Sequence, residues 1–201
     1  MAFKHERKDV TQYYRIQPEQ EQYMEFKLDG FDFLNKLGEK YELSDLGKPI
    51  QHDWQPITGK FYPRVNATKD PDITTWQTNF LVLNQKAYDA LKVTLEPLGE
   101  LLPLEVESGS FYLFNPLVRL PDDAIDLETS EYEYHQTEEE PVGFKVLNFN
   151  AINIPEDKPL FCMQNDFAYN LYCDERFKKM VEENGLSGLV FNSTLIDPYF
   201  K

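Results

Sequence analysis

Two stretches ninety positions apart share one grammar, and that grammar narrows the folds open to this chain. In the first, Asn79-Phe80-Leu81-Val82-Leu83 is a short apolar run, Asn84 follows, and Ala87, Leu91 and Leu95 then recur at helical spacing with Tyr88 beside them. A run of that length between polar residues suits a buried strand. Asn84 suits a helix N-cap, because its side-chain oxygen accepts from the free amides of the first turn. The stripe behind it marks one helical face, and Pro97 and Gly99 end the helix. In the second stretch Tyr169-Asn170-Leu171-Tyr172-Cys173 is the run, Asp174 the cap, and Phe177, Met180 and Val181 the stripe. Asn184-Gly185 stops that helix before a strand at Gly188-Leu189-Val190-Phe191. Leu83 and Cys173, Asn84 and Asp174, Ala87 and Phe177, Leu91 and Val181 all keep the offset. The second helix reads as shorter, so the register is expected to slip beyond it. This order of elements also arises by chance, so the echo alone does not make a duplication.

The remaining segments read mostly as strands. Leu101-Leu102-Pro103-Leu104 and Ser110-Phe111-Tyr112-Leu113-Phe114-Asn115 flank a Ser108-Gly109 turn, which predicts a hairpin. Tyr13 to Gln17 suits a strand ending at Pro18, and Met24 to Leu28 alternates before Asp29-Gly30, a turn signal. Gly47, Pro49 and Trp54-Gln55-Pro56 suit an irregular, ordered loop. Lys60 to Val65, flanked by Trp54 and Trp76, reads as a strand interrupted at Pro63. Gly143 to Phe149 reads as a strand with Phe144, Val146 and Leu147 inward. The expected class is α+β: a largely antiparallel sheet with two or three helices and two strand-helix-strand segments. At 201 residues the chain fits a single domain, 1–201, with residues 1–50 as a candidate N-terminal lobe or extension. A chain of this size buries roughly 70% of its unfolded surface and needs no disulfide or metal staple.

Charge narrows the partners. Thirty-five acidic residues against twenty basic ones give −15 at neutral pH. Such a surface repels nucleic acid, whose binding rests on Lys and Arg displacing counterions, and repels anionic lipid. A charged macromolecular partner is therefore expected to be basic; acidity for solubility alone is the bland alternative. The charged start from Met1 to Asp9 has no apolar stretch behind it, and no run approaches 18 apolar residues. The expectation is a cytoplasmic protein with no membrane and no nucleic-acid partner.

Catalytic constellations are sparse. His5, His52 and His135 are scattered, Cys162 and Cys173 form no C-x-x-C pair, and nine glycines make no phosphate-cradling cluster. Asp29-Gly30-Phe31-Asp32 and Asp70-Pro71-Asp72 offer paired carboxylates that could divide acid and base work, although turns favour Asp anyway. The reading is no catalytic residues, no metal and no cofactor. One charge feature stands out. Between Arg119 and Lys145 there is no Lys or Arg, while Asp122, Asp123, Asp126, Glu128, Glu131, Glu133, Glu138, Glu139 and Glu140 place nine carboxylates within 19 residues, with Tyr132 and Tyr134 interleaved. Charge runs are usually solvated loops or exposed hairpins. The sharper reading is an acidic, aromatic-bearing binding surface. Trp54, Tyr62 and Trp76 are the alternative surface.

Several of these motifs together resemble a known family. They are Leu81-Val82-Leu83-Asn84, then Gly99-Glu100-Leu101-Leu102-Pro103-Leu104, then Phe111-Tyr112 and Phe114-Asn115, Ile125-Asp126, and the closing Gly185-Leu186-Ser187-Gly188-Leu189-Val190-Phe191. Over about residues 60 to 193 the chain resembles immunity protein family eleven of the bacterial polymorphic-toxin systems, formerly a domain of unknown function. The resemblance implies a cytoplasmic antitoxin that binds a cognate toxin domain and blocks it without catalysis. It implies no catalytic motif, no list of binding residues and no toxin chemistry. Two other readings stand beside it: an acidic adaptor or structural protein, and a hydrolase that reverses toxin damage. The hydrolase would act in substoichiometric amounts, whereas a blocking inhibitor titrates one to one.

Overall fold

A computed structural model describes residues 11–38, 41, 47–134, 140–164 and 170–196. In chain order the elements are β1 (Tyr13–Pro18), β2 (Glu25–Leu28), α1 (Gly30–Leu37), β3 (Ile57–Tyr62), β4 (Ile73–Trp76), β5 (Phe80–Asn84), α2 (Gln85–Leu95), β6 (Gly99–Val106), β7 (Gly109–Pro116), β8 (Arg119–Leu120), β9 (Glu131–Tyr134), β10 (Pro141–Val146), β11 (Leu160–Met163), β12 (Leu171–Asp174), α3 (Glu175–Glu183) and β13 (Leu189–Asn192). They form a six-stranded sheet ordered β2-β3-β6-β7-β5-β4, a five-stranded sheet ordered β13-β1-β12-β11-β8, and a two-stranded ribbon of β9 and β10. Neighbours are antiparallel except β3 with β6 and β11 with β8. The class is α+β with mostly antiparallel pairing.

Capping residues start the helices as the sequence predicts. Asn84 accepts from the Ala87 amide at 2.9 Å, and Asp174 accepts from the amides of Arg176 and Phe177 at 2.9 and 3.2 Å. Asp29-Gly30 departs from expectation. Read as a turn signal, it opens a helix instead; Asp29 accepts from the amides of Phe31 and Asp32 and caps α1. The same side-chain oxygen that favours a turn also favours an N-cap, and Phe33 and Leu37, four apart, supply the buried stripe that decides for the helix.

The two large sheets are related far beyond the capped helices. Leu83 pairs with Tyr112 as Cys173 pairs with Tyr14, and Asn84 with Phe111 as Asp174 with Tyr13. Beyond the helices, Gly99 pairs with Pro116 as Leu189 pairs with Pro18. The offset of 90 is therefore restored at Gly99 and Leu189, and the register does not slip. α3 has nine residues against eleven in α2, and a longer connection, Asn184 to Gly188 against Glu96 to Leu98, makes up the difference. Side-chain contacts repeat too. The Tyr112 hydroxyl donates to Gln85 and the Tyr14 hydroxyl to Glu175, the first residue of each helix. In each half a crossover helix links two strands that flank a third. That third strand is β7, next in the chain, in one half, and β1 from the other end of the chain in the other. The described part of residues 1–50 is thereby divided between both sheets: β1 lies inside one and β2 edges the other.

Three buried clusters follow from this layout. The first is shared by both halves and holds Leu83, Ala87, Leu91 and Phe114 against Cys173, Phe177 and Val181. The second lies on the other face of the six-stranded sheet, under α1 and the 47–54 strap, around Phe26, Phe33, Ile57, Leu102 and Leu113. The third, around Phe161, Tyr172 and Ile125, lies on the other face of the five-stranded sheet. No helix of the described residues is long and apolar enough to cross a membrane.

Candidate interaction surface

The acidic stretch of the sequence forms an anchored base and a projecting ribbon. Asp122 and Asp123 sit exposed on a single 3₁₀ turn, Asp122–Ala124. The Asp126 side chain accepts from the Glu128 amide at 3.0 Å and its carbonyl from Ser130 at 2.9 Å, closing the next turn. This segment is laced to 148–150: Asp126 N donates to Asn148 O, Asn150 N to Ala124 O, and Asn148 Nδ2 to Thr129 O. Phe149 fixes the lacing to the third core through edge contacts with Tyr13, Phe161 and Tyr172.

Beyond that base, β9 and β10 pair only with one another among the described residues. Strand alternation separates the side chains by chemistry. Glu131 and Glu133 share one face, where Lys145 pairs with Glu131 at 3.4 Å; both members of that pair are exposed. Tyr132 and Tyr134 share the other face, and Tyr132 stacks on Phe144 across the ribbon. The acids and tyrosines interleaved in sequence are thus on opposite faces in space. Glu128, before β9, and Glu140, before β10, are exposed; Glu138 and Glu139 lie outside the described residues. Val146 departs from expectation: a register shift after Phe144 turns it outward, and Leu147 is the buried neighbour.

Trp54, Tyr62 and Trp76 do not make one surface. Trp54 packs on the second core, edge-on to Phe33, and its indole donates to Pro103 O at 2.8 Å. Trp76 packs on the same core against Phe80. Phe61 takes the inner position on β3, so Tyr62 points the other way, with Lys27 over its ring at 5.4 Å.

Of the paired carboxylates, Asp29, Asp32 and Asp72 are engaged in the fold, and Asp70 is exposed. Asp32 accepts from Thr58 N at 2.7 Å and pairs with Lys36 at 2.9 Å. Asp72 accepts from Asn84, Lys86 and Ser187. Burial pushes both carboxyls up, but these hydrogen bonds outweigh it and hold both below the ordinary carboxylate range. Neither then carries a proton to donate near neutral pH. His52 is exposed beside Asp53; His5 and His135 lie outside the described residues. Cys162 and Cys173 are both buried, and burial pushes the Cys173 thiol well above its ordinary value. Among the described residues no group of three His, Cys, Asp or Glu side chains could hold a metal ion.

Sequence reasoning missed a buried polar clamp. Glu100 and Asn115 belong to the Gly99-Glu100 and Phe114-Asn115 motifs. Glu100 accepts from the amides of Ile50 and Gln51 and from Asn115 Nδ2, all at 3.0 Å. Asn115 also donates to Lys48 O and accepts from Gly47 N. The pair ties the 47–51 strap across the second core. The available signal was a carboxylate and an amide inside otherwise apolar strands, which buried strands tolerate only when hydrogen-bonded. No family model matches the chain, and no curated protein matches its sequence.

Proposed function

We propose that this chain is an immunity protein that binds a basic toxin domain one to one in the cytoplasm and blocks it without catalysis. The observation that carries the reading is the 122–146 excursion. The carboxylates of its ribbon lie on strands that pair with neither large sheet, and the excursion's basic side chain, Lys145, neutralises one of them. The motif resemblance over residues 60 to 193 points the same way. A toxin that attacks nucleic acid or nucleotides carries a basic cleft for phosphate. An inhibitor at −15 is drawn to such a cleft, and its carboxylates can occupy the phosphate positions.

The test is a growth assay. The C-terminal domain of any large toxin-like protein encoded beside this gene is expressed in the cytoplasm of a test bacterium, with and without this chain. The expected result is rescue together with a stable one-to-one complex on sizing. Rescue at substoichiometric amounts without a complex would replace the reading with an enzyme that undoes damage. Neither rescue nor complex would leave an acidic adaptor in its place.

A further inference from the structure

The aromatic side chains of the ribbon form a ladder that begins in the core and ends in solvent. Phe144 packs against the third core. Tyr132 stacks on Phe144 with ring centroids 4.7 Å apart and planes at 27°. Tyr134 meets Tyr132 edge-on at 6.4 Å. Exposure rises along this path, from half-buried Phe144 to 37% at Tyr132 and 55% at Tyr134. A two-stranded hairpin is marginally stable in water unless a further strand or a helix packs on it. Among the described residues this ribbon has no third strand. The ladder packs aromatic rings across the ribbon where a third strand would otherwise lie, and leaves a large aromatic ring presented in water at its outer rung. Tyrosine offers wide contact area at low entropic cost, which is why it is enriched among binding anchors.

We infer that Tyr134 is the anchor over which a basic protein partner closes, and that Glu131 and Glu133 on the reverse face recruit that partner without holding it. The inference rests on the immunity reading above. Charge selects the occupant: a second copy would bring another −15 against these carboxylates, whereas a cationic protein with an apolar socket meets both faces. The division of labour follows from geometry. Exposed carboxylates act at a distance and are screened by salt, so they govern encounter. A ring seated in a desolvated socket governs departure.

The experiment measures association and dissociation of the full chain with the toxin domain used in the growth assay, across a range of salt concentrations. Tyr134→Ala is expected to dissociate about ten-fold faster or more, with an unchanged association rate, and Tyr134→Phe to behave like the unaltered chain. Glu131→Gln with Glu133→Gln is expected to slow association several-fold at low salt and to converge with the unaltered chain at about 0.5 M salt, with dissociation unchanged. Matching thermal melts exclude misfolding of the variants. Dissociation unchanged in Tyr134→Ala, with the unaltered chain still binding, overturns the anchor alone and leaves the immunity reading standing. Failure of the unaltered chain to bind overturns both. Self-association of the chain that Tyr134→Ala abolishes would make a second copy the occupant and overturn the proposal.

Discussion

The carboxylate of Asp72 accepts both the backbone amide and the hydroxyl of Ser187, each at 3.0 Å, across 115 positions of chain. It also accepts from Asn84 Nδ2 at 2.9 Å and Lys86 Nζ at 3.0 Å. One acid thus ties the start of α2 to the loop that follows α3, where the two related halves meet. Replacing Asp72 with Ala leaves several partly buried donors unpaired and should cost about 1–3 kcal/mol. The pH dependence has a fixed sign. The folded carboxyl lies below its ordinary value of 3.8, because hydrogen bonds outweigh burial. Its contribution is therefore fully present above about pH 4 and is lost as pH falls through the folded value. Urea midpoints between about pH 6 and pH 3 should fall less steeply in Asp72→Ala than in the unaltered chain.

Glycine 99 is fixed by contact, not by a left-handed backbone. A Cβ there would lie 2.2 Å from the Asn115 carbonyl and under 3 Å from the Phe114 ring. Gly99→Ala should push β6 from β7 beside the Glu100 clamp and destabilise by about 3 kcal/mol or more, or prevent folding. Glu100→Gln keeps the shape but weakens the charge-assisted bonds to Ile50, Gln51 and Asn115, and should cost about 1–2 kcal/mol. Limited proteolysis should then cut first within 47–56, and protection of that strap equal to the unaltered chain would contradict the clamp.

The relation of β1 to β7 predicts a tolerated permutation. β13 runs antiparallel to β1, with Asn192 opposite Arg15, as β6 runs antiparallel to β7. Joining Ile196 to Thr11 by a short flexible linker, and opening the chain between Gln20 and Glu21, makes β13 and β1 a hairpin of the β6–β7 kind. The break falls in an exposed turn, where permutation is best tolerated. The permuted chain should melt in one cooperative transition with an unchanged far-ultraviolet spectrum.

Charge reversal on the ribbon should separate binding from folding. The Glu131–Lys145 pair is exposed and contributes about 0–1 kcal/mol. Glu131→Lys with Glu133→Lys should therefore shift stability little, yet slow association with the toxin domain by about ten-fold or more at low salt. Denaturant midpoints and stopped-flow association report the two effects separately, and equal association at low salt would remove the ribbon from the encounter surface.

The legible parts of this fold were local. Asn84 and Asp174 announced their helices because an N-cap needs only its own side chain and the next three amides. The β6–β7 hairpin was readable because its turn residues are contiguous. Asp29-Gly30 was ambiguous for the same reason: both outcomes use the same local hydrogen bond, and the burial of Phe33 and Leu37 made the choice. At the candidate surface, the run of acids and the interleaved tyrosines were visible as composition, whereas the fate of Tyr62 depended on which face of β3 met the core, and that of Trp54 and Trp76 on the strap and β4 packing onto that same core.

By itself the sequence determined the class, the caps of α2 and α3, most strand positions and the concentration of carboxylates between Arg119 and Lys145, since these rest on residue type and spacing along a few turns of chain. Only the tertiary structure decided that β1 enters between β12 and β13, that Glu100 and Asn115 clamp a strap 49 to 68 positions away, and that the ribbon's acids and aromatics part to opposite faces. Those outcomes depend on which distant surfaces are buried together, and burial is a property of the whole chain, not of any segment in it.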